Sequence, residues 1–163
     1  MKSIVAVNKL TRLAALLALA LLSAVCSTAL AQAGTAAQIP AADQMQPSEL
    51  AQMLKSPGAD KPLVLQVGSH VLYAQAHIPG SEYAGAAAQE AGRKALSERV
   101  AKLDRGTMVV LYCGCCPWGK CPNIDPAYKL MKSLGFTRLK VLHIADNFGT
   151  DWVDKGYPVA QGR

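Results

Sequence analysis

Two short apolar runs constrain the architecture of this chain more than any other feature. Residues 63–67 and 108–112 have the length of strands and are almost wholly apolar, which is typical of strands buried on both faces of a sheet. Residues 139–144 predict a further strand. The segments with a helical repeat of apolar residues are 46–54, 86–103 and 123–135. Because strands that alternate with helices pair in parallel, the chain is predicted to form an α/β fold with a central parallel sheet flanked by helices.

The chain of 163 residues divides into three predicted parts. Residues 1–31 have a basic start, an uncharged apolar run and the small-x-small sequence Ala29-Leu30-Ala31, which is the pattern of a cleaved signal peptide. Residues 32–45 are rich in Ala and Gln without periodicity and predict a flexible leader. Residues 46–163 are then a single domain. We therefore expect a periplasmic or secreted protein that meets a membrane only through the signal segment, if that segment stays uncleaved.

The net charge and the motifs that are missing argue against several classes of function. The chain has 17 basic and 11 acidic residues, a formal net charge of +6. Residues 1–31 hold three of the basic residues and no acidic one, so the remainder, with 14 basic against 11 acidic residues, carries only +3. This charge is scattered, and nucleic-acid binding is not supported. No nucleotide-binding loop, Ser-His-Asp set or carboxylate pair is present, and we expect a monomer with no cofactor and no resident metal.

The cysteines are crowded into one loop. Of the five in the sequence, Cys26 lies in the predicted signal peptide and the other four lie within residues 113–121. A disulfide framework that stabilises a small secreted fold joins distant segments, so that each bridge closes a long loop. Four cysteines in one loop cannot restrain the chain in that way, and they therefore indicate local chemistry.

The first of these cysteines, Cys113, directly follows the predicted strand 108–112. Reactive groups of parallel α/β sheets gather beyond the carboxyl ends of the strands. Turn N–H groups and the positive end of the next helix favour an anion there, so we expect the pKa of Cys113 to be lowered. Lys120, and Arg138 from elsewhere in the fold, are candidates for added positive charge. Cys113 is the predicted nucleophile, and the residues predicted to form an anion cradle around it are Gly114, Cys115, Cys116, Trp118, Gly119, Lys120 and Cys121.

Four segments in order resemble the rhodanese-like domain family. They are His77-Ile78-Pro79-Gly80, Val109-Val110-Leu111-Tyr112-Cys113, Leu134-Gly135-Phe136, and Trp152 with Gly156-Tyr157-Pro158-Val159. The resemblance spans about residues 46–160. It implies a rhodanese-like fold and a sulfurtransferase that carries sulfane sulfur as a persulfide on Cys113. It also implies a small sulfur donor such as thiosulfate, and a thiol or other acceptor.

Two departures from the family pattern bear on the site. The family's Asp-x-Arg at the end of the first strand is replaced by Gln66-Val67-Gly68, so both charges are lost and the support of the loop must differ. The loop after Cys113 is also longer than is common in the family and contains three additional cysteines. Donor and acceptor specificity are therefore expected to differ from those of an ordinary thiosulfate transferase.

Other uses of the loop remain open at this point. Cys113 and Cys116 have the C-x-x-C spacing of thiol–disulfide redox proteins, and a static disulfide that ties down the loop is also compatible. A copper(I)-binding or non-catalytic rhodanese module is a further alternative, whereas zinc is disfavoured because adjacent Cys115 and Cys116 are awkward ligands for one ion. Trp118 is expected either to line the mouth of the site or to anchor the loop.

The three histidines are predicted to have no part in the chemistry. His77 is expected to hold local structure by hydrogen bonding, and His70 and His143 are expected to be surface or hydrogen-bonded positions.

Overall fold

The computed structural model describes residues 39–57 and 61–162. The predicted signal peptide, and residues 32–38 of the predicted leader, lie outside the described residues. Within the described part, no helix is both long and apolar enough to cross a membrane. The strands are β1 (Gln44–Met45), β2 (Leu63–Gln66), β3 (Glu82–Tyr83), β4 (Val109–Tyr112) and β5 (Leu139–Leu142). The α-helices are α1 (Pro47–Lys55), α2 (His70–Gln75), α3 (Glu90–Val100) and α4 (Ile124–Ser133), with a 3₁₀ turn at Ala41–Asp43 and a π-helical turn at Gly149–Val153.

The five strands form one parallel sheet in the order β1-β5-β4-β2-β3. β4 lies at its centre, paired with β2 through Gln66 and Tyr112 and with β5 through Leu111 and Val141. The predicted α/β class with a central parallel sheet flanked by helices is confirmed. Because β2 and β4 are neighbours, the residues that follow their carboxyl ends emerge side by side.

Alternate strand residues enter two separate cores, one on each face of the sheet. Leu65, Leu111 and Val141 pack against α3 and α4, where Leu96 and Met131 are fully buried. This double burial explains why the strand sequences lack polar alternation.

The opposite face is covered by α1 and by the carboxyl-terminal part of the chain. Val64, Val110 and Leu142 pack there with Leu50 of α1 and with Trp152. Trp152 is fully buried and its indole N–H donates to the carbonyl of Pro158 (2.8 Å), so the last segment is fixed to this core.

The last residue of β4 fixes the segment after α2. The Tyr112 hydroxyl accepts a hydrogen bond from the backbone N–H of Ile78 (3.3 Å) and pairs with the Ser81 hydroxyl (3.1 Å). Burial raises the pKa of Tyr112 to about 12, so its hydroxyl stays protonated.

The predicted boundary between leader and domain is wrong for residues 39–45. Ile39 is only 5% exposed, and β1 pairs with β5 through Gln44 and Val141. A two-residue strand has no recognisable pattern of its own. Its order comes from pairing with β5, nearly a hundred residues further along the chain.

Several element predictions are also corrected. α2 and β3 had not been predicted, and His70 begins α2 rather than lying in a loop. α3 covers Glu90–Val100, fewer residues than 86–103, and β5 ends at Leu142 rather than at 144.

Candidate functional site

Cys113 is the first residue after β4 and lies at the carboxyl edge of the sheet, as predicted, where it is only 4% exposed. Its support comes from Gln66, the last residue of β2. The Gln66 side-chain amide donates to the carbonyl of Cys113 (3.2 Å), and its oxygen accepts from the backbone N–H of Gly68 (3.1 Å). An uncharged amide therefore joins the ends of β2 and β4 at the position where the family pattern has a charged residue.

Gly68 provides the room that the Cys113 thiol occupies. A Cβ atom at residue 68 would lie 2.5 Å from the Cys113 sulfur and 3.1 Å from the Gln66 side-chain nitrogen. A side chain at this position is therefore incompatible with the observed thiol position. Glycine at residue 68 therefore permits the observed position of the Cys113 thiol.

Four sulfur atoms meet at the site, and all four cysteines are free thiols. The Cys113 sulfur lies 3.1 Å from that of Cys115, which lies 2.9 Å from that of Cys116. The sulfurs of Cys113, Cys115 and Cys121 all lie within 4.8 Å of one another, and we call these three residues the thiol triad. The structure thus brings all the predicted cysteines together, with Cys115 rather than Cys116 as the near neighbour of Cys113.

The expectation of a lowered pKa at Cys113 is wrong. Hydrogen bonding of its thiol to the sulfurs of Cys115 and Cys121, together with burial, raises the pKa of Cys113. The same contacts lower the pKa of Cys115 to about 5, because its thiolate accepts hydrogen bonds from Cys113 and then from Cys116. Cys116, as donor to Cys115, has its pKa raised to about 12. These directions favour the thiolate form at Cys115 and the protonated form at Cys113.

The start of α4 acts on Cys121 instead of Cys113. The pKa of Cys121 is lowered, chiefly by the hydrogen bond from Cys113 and also by the backbone N–H groups of Asn123 and Ile124. Those N–H groups belong to the first turn of α4, where unpaired donors stabilise an anion. The start of the helix therefore stabilises an anion, as predicted, but in this longer loop it acts on Cys121 rather than on Cys113.

Asn123 is a site residue whose role the sequence did not reveal. It is buried, and its side chain makes no capping bond to α4. Its oxygen accepts from the backbone N–H of Ala88 (2.9 Å), and its nitrogen donates to the Cys113 sulfur (3.5 Å). Asn123 thus connects the segment before α3 to the thiol triad.

Trp118 anchors the cysteine loop and also lines a cleft beside Cys113. Its ring stacks on His143 with centroids 4.3 Å apart, and its backbone N–H donates to the carbonyl of Ala145 (2.9 Å). Gly114 and Gly119 both have positive φ, at 77° and 79°, so the loop turns sharply on either side of the cysteines. The loop is therefore tied to the end of β5 rather than free in solvent.

Two clefts reach Cys113 from opposite sides. The narrower, with a volume of ≈ 20 Å³, has room for about one water-sized group. The wider, which we call the helix cleft, has a volume of ≈ 310 Å³ and contains both Cys113 and Cys115. Its wall includes Leu72 of α2 and Val153 of the π-helical turn. A small molecule that enters the helix cleft meets the two cysteines together.

Neither cleft is lined by Lys or Arg among the described residues. Lys120 is exposed and lines neither cleft. Arg138 lies at the opposite end of the sheet, where it contacts the sulfur of Met108, so its predicted contribution to the site is wrong. Anion stabilisation at this site therefore comes from thiol and backbone donors and not from basic side chains.

The three histidines are placed as predicted, and His70 is exposed at the start of α2. The His77 Nδ1 is hydrogen-bonded to the carbonyl of Tyr73 (2.8 Å) and its ring stacks on the Tyr73 ring. The Nδ1 of His143 pairs with the Gln44 side-chain oxygen (3.1 Å). Both are therefore satisfied structural residues.

The fold and the site define an α/β protein with a cluster of cysteines beyond the carboxyl end of its central parallel strand. The chain belongs to the rhodanese-like domain family, whose sequence model matches residues 46–144. No curated protein matches the sequence.

Solved structures share this fold at low identity. The BH2092 protein from Bacillus halodurans superposes with a TM-score of 0.56 at 21% identity, covering 72% of this chain and 76% of that chain. The Alr3790 protein from Anabaena sp gives a TM-score of 0.55 at 18% identity, covering 72% and 92%. Wild-type EanB gives a TM-score of 0.51 at 18% identity, covering 72% of this chain but only 27% of EanB.

Proposed function

We propose that this protein transfers sulfane sulfur, carried as a persulfide on Cys113. The observation that carries the proposal is that Cys113 and Cys115, with sulfurs 3.1 Å apart, together line the helix cleft at the end of the central strand. Membership of the rhodanese-like family supports this class of chemistry. The helix cleft is large enough for a small sulfur donor and lies where ligands of parallel sheets collect.

The first half of the reaction loads Cys113. As the Cys113 sulfur attacks the sulfane sulfur of the donor, its proton passes along the hydrogen bond to the Cys115 thiolate, so that no free Cys113 thiolate has to form first. The donor's sulfur–sulfur bond breaks, and the remainder of the donor departs as a thiolate with the bonding electron pair. Cys113 is left as a persulfide.

The second half delivers the sulfur. An acceptor thiolate attacks the outer sulfur of the persulfide, the bond between the two sulfurs on Cys113 breaks, and the acceptor leaves as a persulfide. The Cys113 thiolate recovers its proton from Cys115, which restores the starting state.

The donor is proposed to be a persulfide or polysulfide of low charge rather than thiosulfate. A thiosulfate dianion requires compensating positive charge when it leaves water. The described lining of the helix cleft has no basic side chain, and much of its wall is apolar, as at Leu72 and Val153. The proposed class of sulfur donor is therefore narrower than the thiosulfate-like class that the family resemblance implies.

The sequence pattern of residues 1–31 supports the proposal that the protein works in the periplasm or outside the cell. A thiol acceptor would then be a small thiol or a cysteine of an exported protein.

A second candidate function is thiol–disulfide exchange, and the geometry favours Cys113 with Cys115 over Cys113 with Cys116. The Cys113 and Cys115 sulfurs are 3.1 Å apart, and a disulfide requires them to approach to about 2.05 Å. If Cys115 attacks the inner sulfur of a Cys113 persulfide, the products are this disulfide and hydrosulfide.

Intact mass spectrometry of the reduced protein, before and after exposure to an uncharged alkyl hydropersulfide or to thiosulfate, tests the proposal. We expect one added sulfur, mapped to Cys113 after alkylation and removed by cyanide, with the hydropersulfide the better donor. Cys113→Ser should take up none. A protein that only loses two hydrogens, with Cys113 bonded to Cys115 and no sulfur gained, would instead establish the redox function.

A further inference from the structure

The geometry points to a three-coordinate copper(I) site formed by the sulfurs of Cys113, Cys115 and Cys121. These three atoms lie within 4.8 Å of one another, although they come from both ends of a nine-residue loop. Thiolates are the ligands that select copper(I) among biological metals. The site goes beyond sulfur transfer, since binding a metal ion requires no sulfur donor.

The spacing of the sulfurs fits a trigonal arrangement. Metal–thiolate bonds of about 2.3 Å place the three sulfurs of a planar site about 4 Å apart. The Cys113–Cys115 separation of 3.1 Å is shorter than this value, and the two separations that involve Cys121 are no longer than 4.8 Å. Small side-chain rotations would therefore bring all three sulfurs to bonding distance without movement of the strands.

A fourth ligand is not in place among the described residues. The Cys116 sulfur contacts Cys115 but is not among the three that lie within 4.8 Å of one another. His143, the histidine nearest the loop through its stacking on Trp118, is engaged by Gln44. Structural zinc sites have four ligands in a tetrahedron, so the set favours a three-coordinate soft ion over zinc.

The surroundings of the thiol triad suit an ion that must be kept from water. Cys113 is buried in the core of one face of the sheet, and Cys115 and Cys121 pack against that core. Ile39 and Ile124 belong to the same core and line the narrower cleft beside Cys113 and Cys121. An apolar shell of this kind limits solvent access to a bound ion.

An outer hydrogen bond orients one of the three sulfurs. The Asn123 side-chain amide donates to the Cys113 sulfur (3.5 Å). Such a donor fixes ligand orientation and offsets part of the excess negative charge of three thiolates around one monovalent cation. The loop is itself held by the contacts of Trp118 with His143 and Ala145.

Copper(I) and a persulfide would compete for Cys113. The copper-loaded protein is therefore expected to take up no sulfur until the ion is removed. This competition does not depend on which sulfur donor the protein uses.

Anaerobic titration of the reduced full chain with Cu(I), against a chromogenic Cu(I) chelator, tests the site. We expect one tightly held ion per chain and an X-ray absorption spectrum with three sulfur neighbours. Loss of an outer-shell partner typically lowers metal affinity 10–100-fold, so Cys121→Ser, which removes a ligand, should weaken binding by more than about 100-fold. Cys116→Ser is the matched comparison: it removes a contact to Cys115 but no ligand, so one ion with three sulfur neighbours should be retained and the affinity should fall by less than about 100-fold.

Three results would overturn the site: no ion held against the chelator, equal losses in Cys116→Ser and Cys121→Ser, or a spectrum with two sulfur neighbours. Circular dichroism of each variant identifies one that has failed to fold, and Cys115→Ser then replaces it as the ligand variant. Sulfur uptake is measured on the same preparations without copper. A protein that loads sulfur on Cys113 but holds no Cu(I) overturns the metal site alone.

Discussion

Gly68 and Cys113 share a space that admits only one side chain. The Cβ of any residue other than glycine at position 68 would lie 2.5 Å from the Cys113 sulfur. The two residues follow neighbouring strands, β2 and β4, so neither backbone can withdraw without disturbing the sheet. The Cys113 thiol can therefore occupy its position only because residue 68, which follows the adjacent strand, has no side chain.

Gly68→Ala is expected to displace the thiol and to destabilise the fold. Overpacking at a buried position costs about 1–3 kcal/mol of unfolding free energy. Sulfur uptake on Cys113 should fall further than this loss of stability explains, because the displaced sulfur no longer faces Cys115. Denaturant unfolding and mass spectrometry of the hydropersulfide-treated variant measure the two effects.

The control for this variant is Gly106→Ala. A Cβ at residue 106 would meet only the side-chain oxygen of Asp104, which can move aside. Uptake should then equal that of the unaltered chain. Full uptake by Gly68→Ala would contradict the placement of the Cys113 thiol.

The parts of this structure that could be predicted are those with a local cause. β2 and β4 were predictable because burial on both faces requires apolar residues throughout. Cys113 was correctly placed because the carboxyl edge of a parallel sheet follows from strand order. The bonds of Asn123 were not predictable, since its partner Ala88 lies 35 residues away. The charge on Cys115 depends on sulfur separations of about 3 Å, which only the folded loop determines.

Gln66→Glu is expected to make stability depend on pH. Gln66 is only 2% exposed, and its amide nitrogen donates to the Cys113 carbonyl. A carboxylate cannot donate, and an ionised acid in this position costs at least about 1–3 kcal/mol. Burial favours the neutral acid and raises its folded-state pKa above the unfolded value of about 4.3.

The stability deficit of Gln66→Glu should therefore be small below pH 4, where both states are protonated, and should grow as pH rises towards the raised folded-state pKa. Chemical denaturation of this variant and of the unaltered chain, at intervals from pH 4 to pH 8, measures this difference. A deficit that does not change with pH would show that residue 66 is hydrated and makes no essential bond to Cys113.

Asn123→Ala is expected to cost about 0.5–1.5 kcal/mol, because the backbone N–H of Ala88 loses its acceptor in a partly buried hydrogen bond. The variant also removes the donor to the Cys113 sulfur. Asn123→Asp keeps an acceptor for Ala88 but not the donor, and it places a negative charge beside the thiol triad. Asp should thus recover much of the stability lost with Ala while sulfur uptake stays reduced. If both variants take up sulfur as fast as the unaltered chain, Asn123 is structural only.

Leu72→Arg is expected to change which sulfur donor the protein accepts. Leu72 is 39% exposed on α2 and lines the helix cleft that contains Cys113 and Cys115. A guanidinium at this position supplies the positive charge that the cleft lining lacks, and local charge in a cleft raises the encounter rate of an anion by about tenfold or more at low salt. The rate of sulfur loading from thiosulfate should rise by about this factor, and the gain should shrink at high ionic strength, where exposed charges are screened.

Val71→Arg is the matched control, because Val71 is 65% exposed on the same helix but does not line the cleft. Equal gains in the two variants would mean that net charge alone controls donor access, and an unchanged rate in Leu72→Arg would mean that the donor reaches Cys113 by another route.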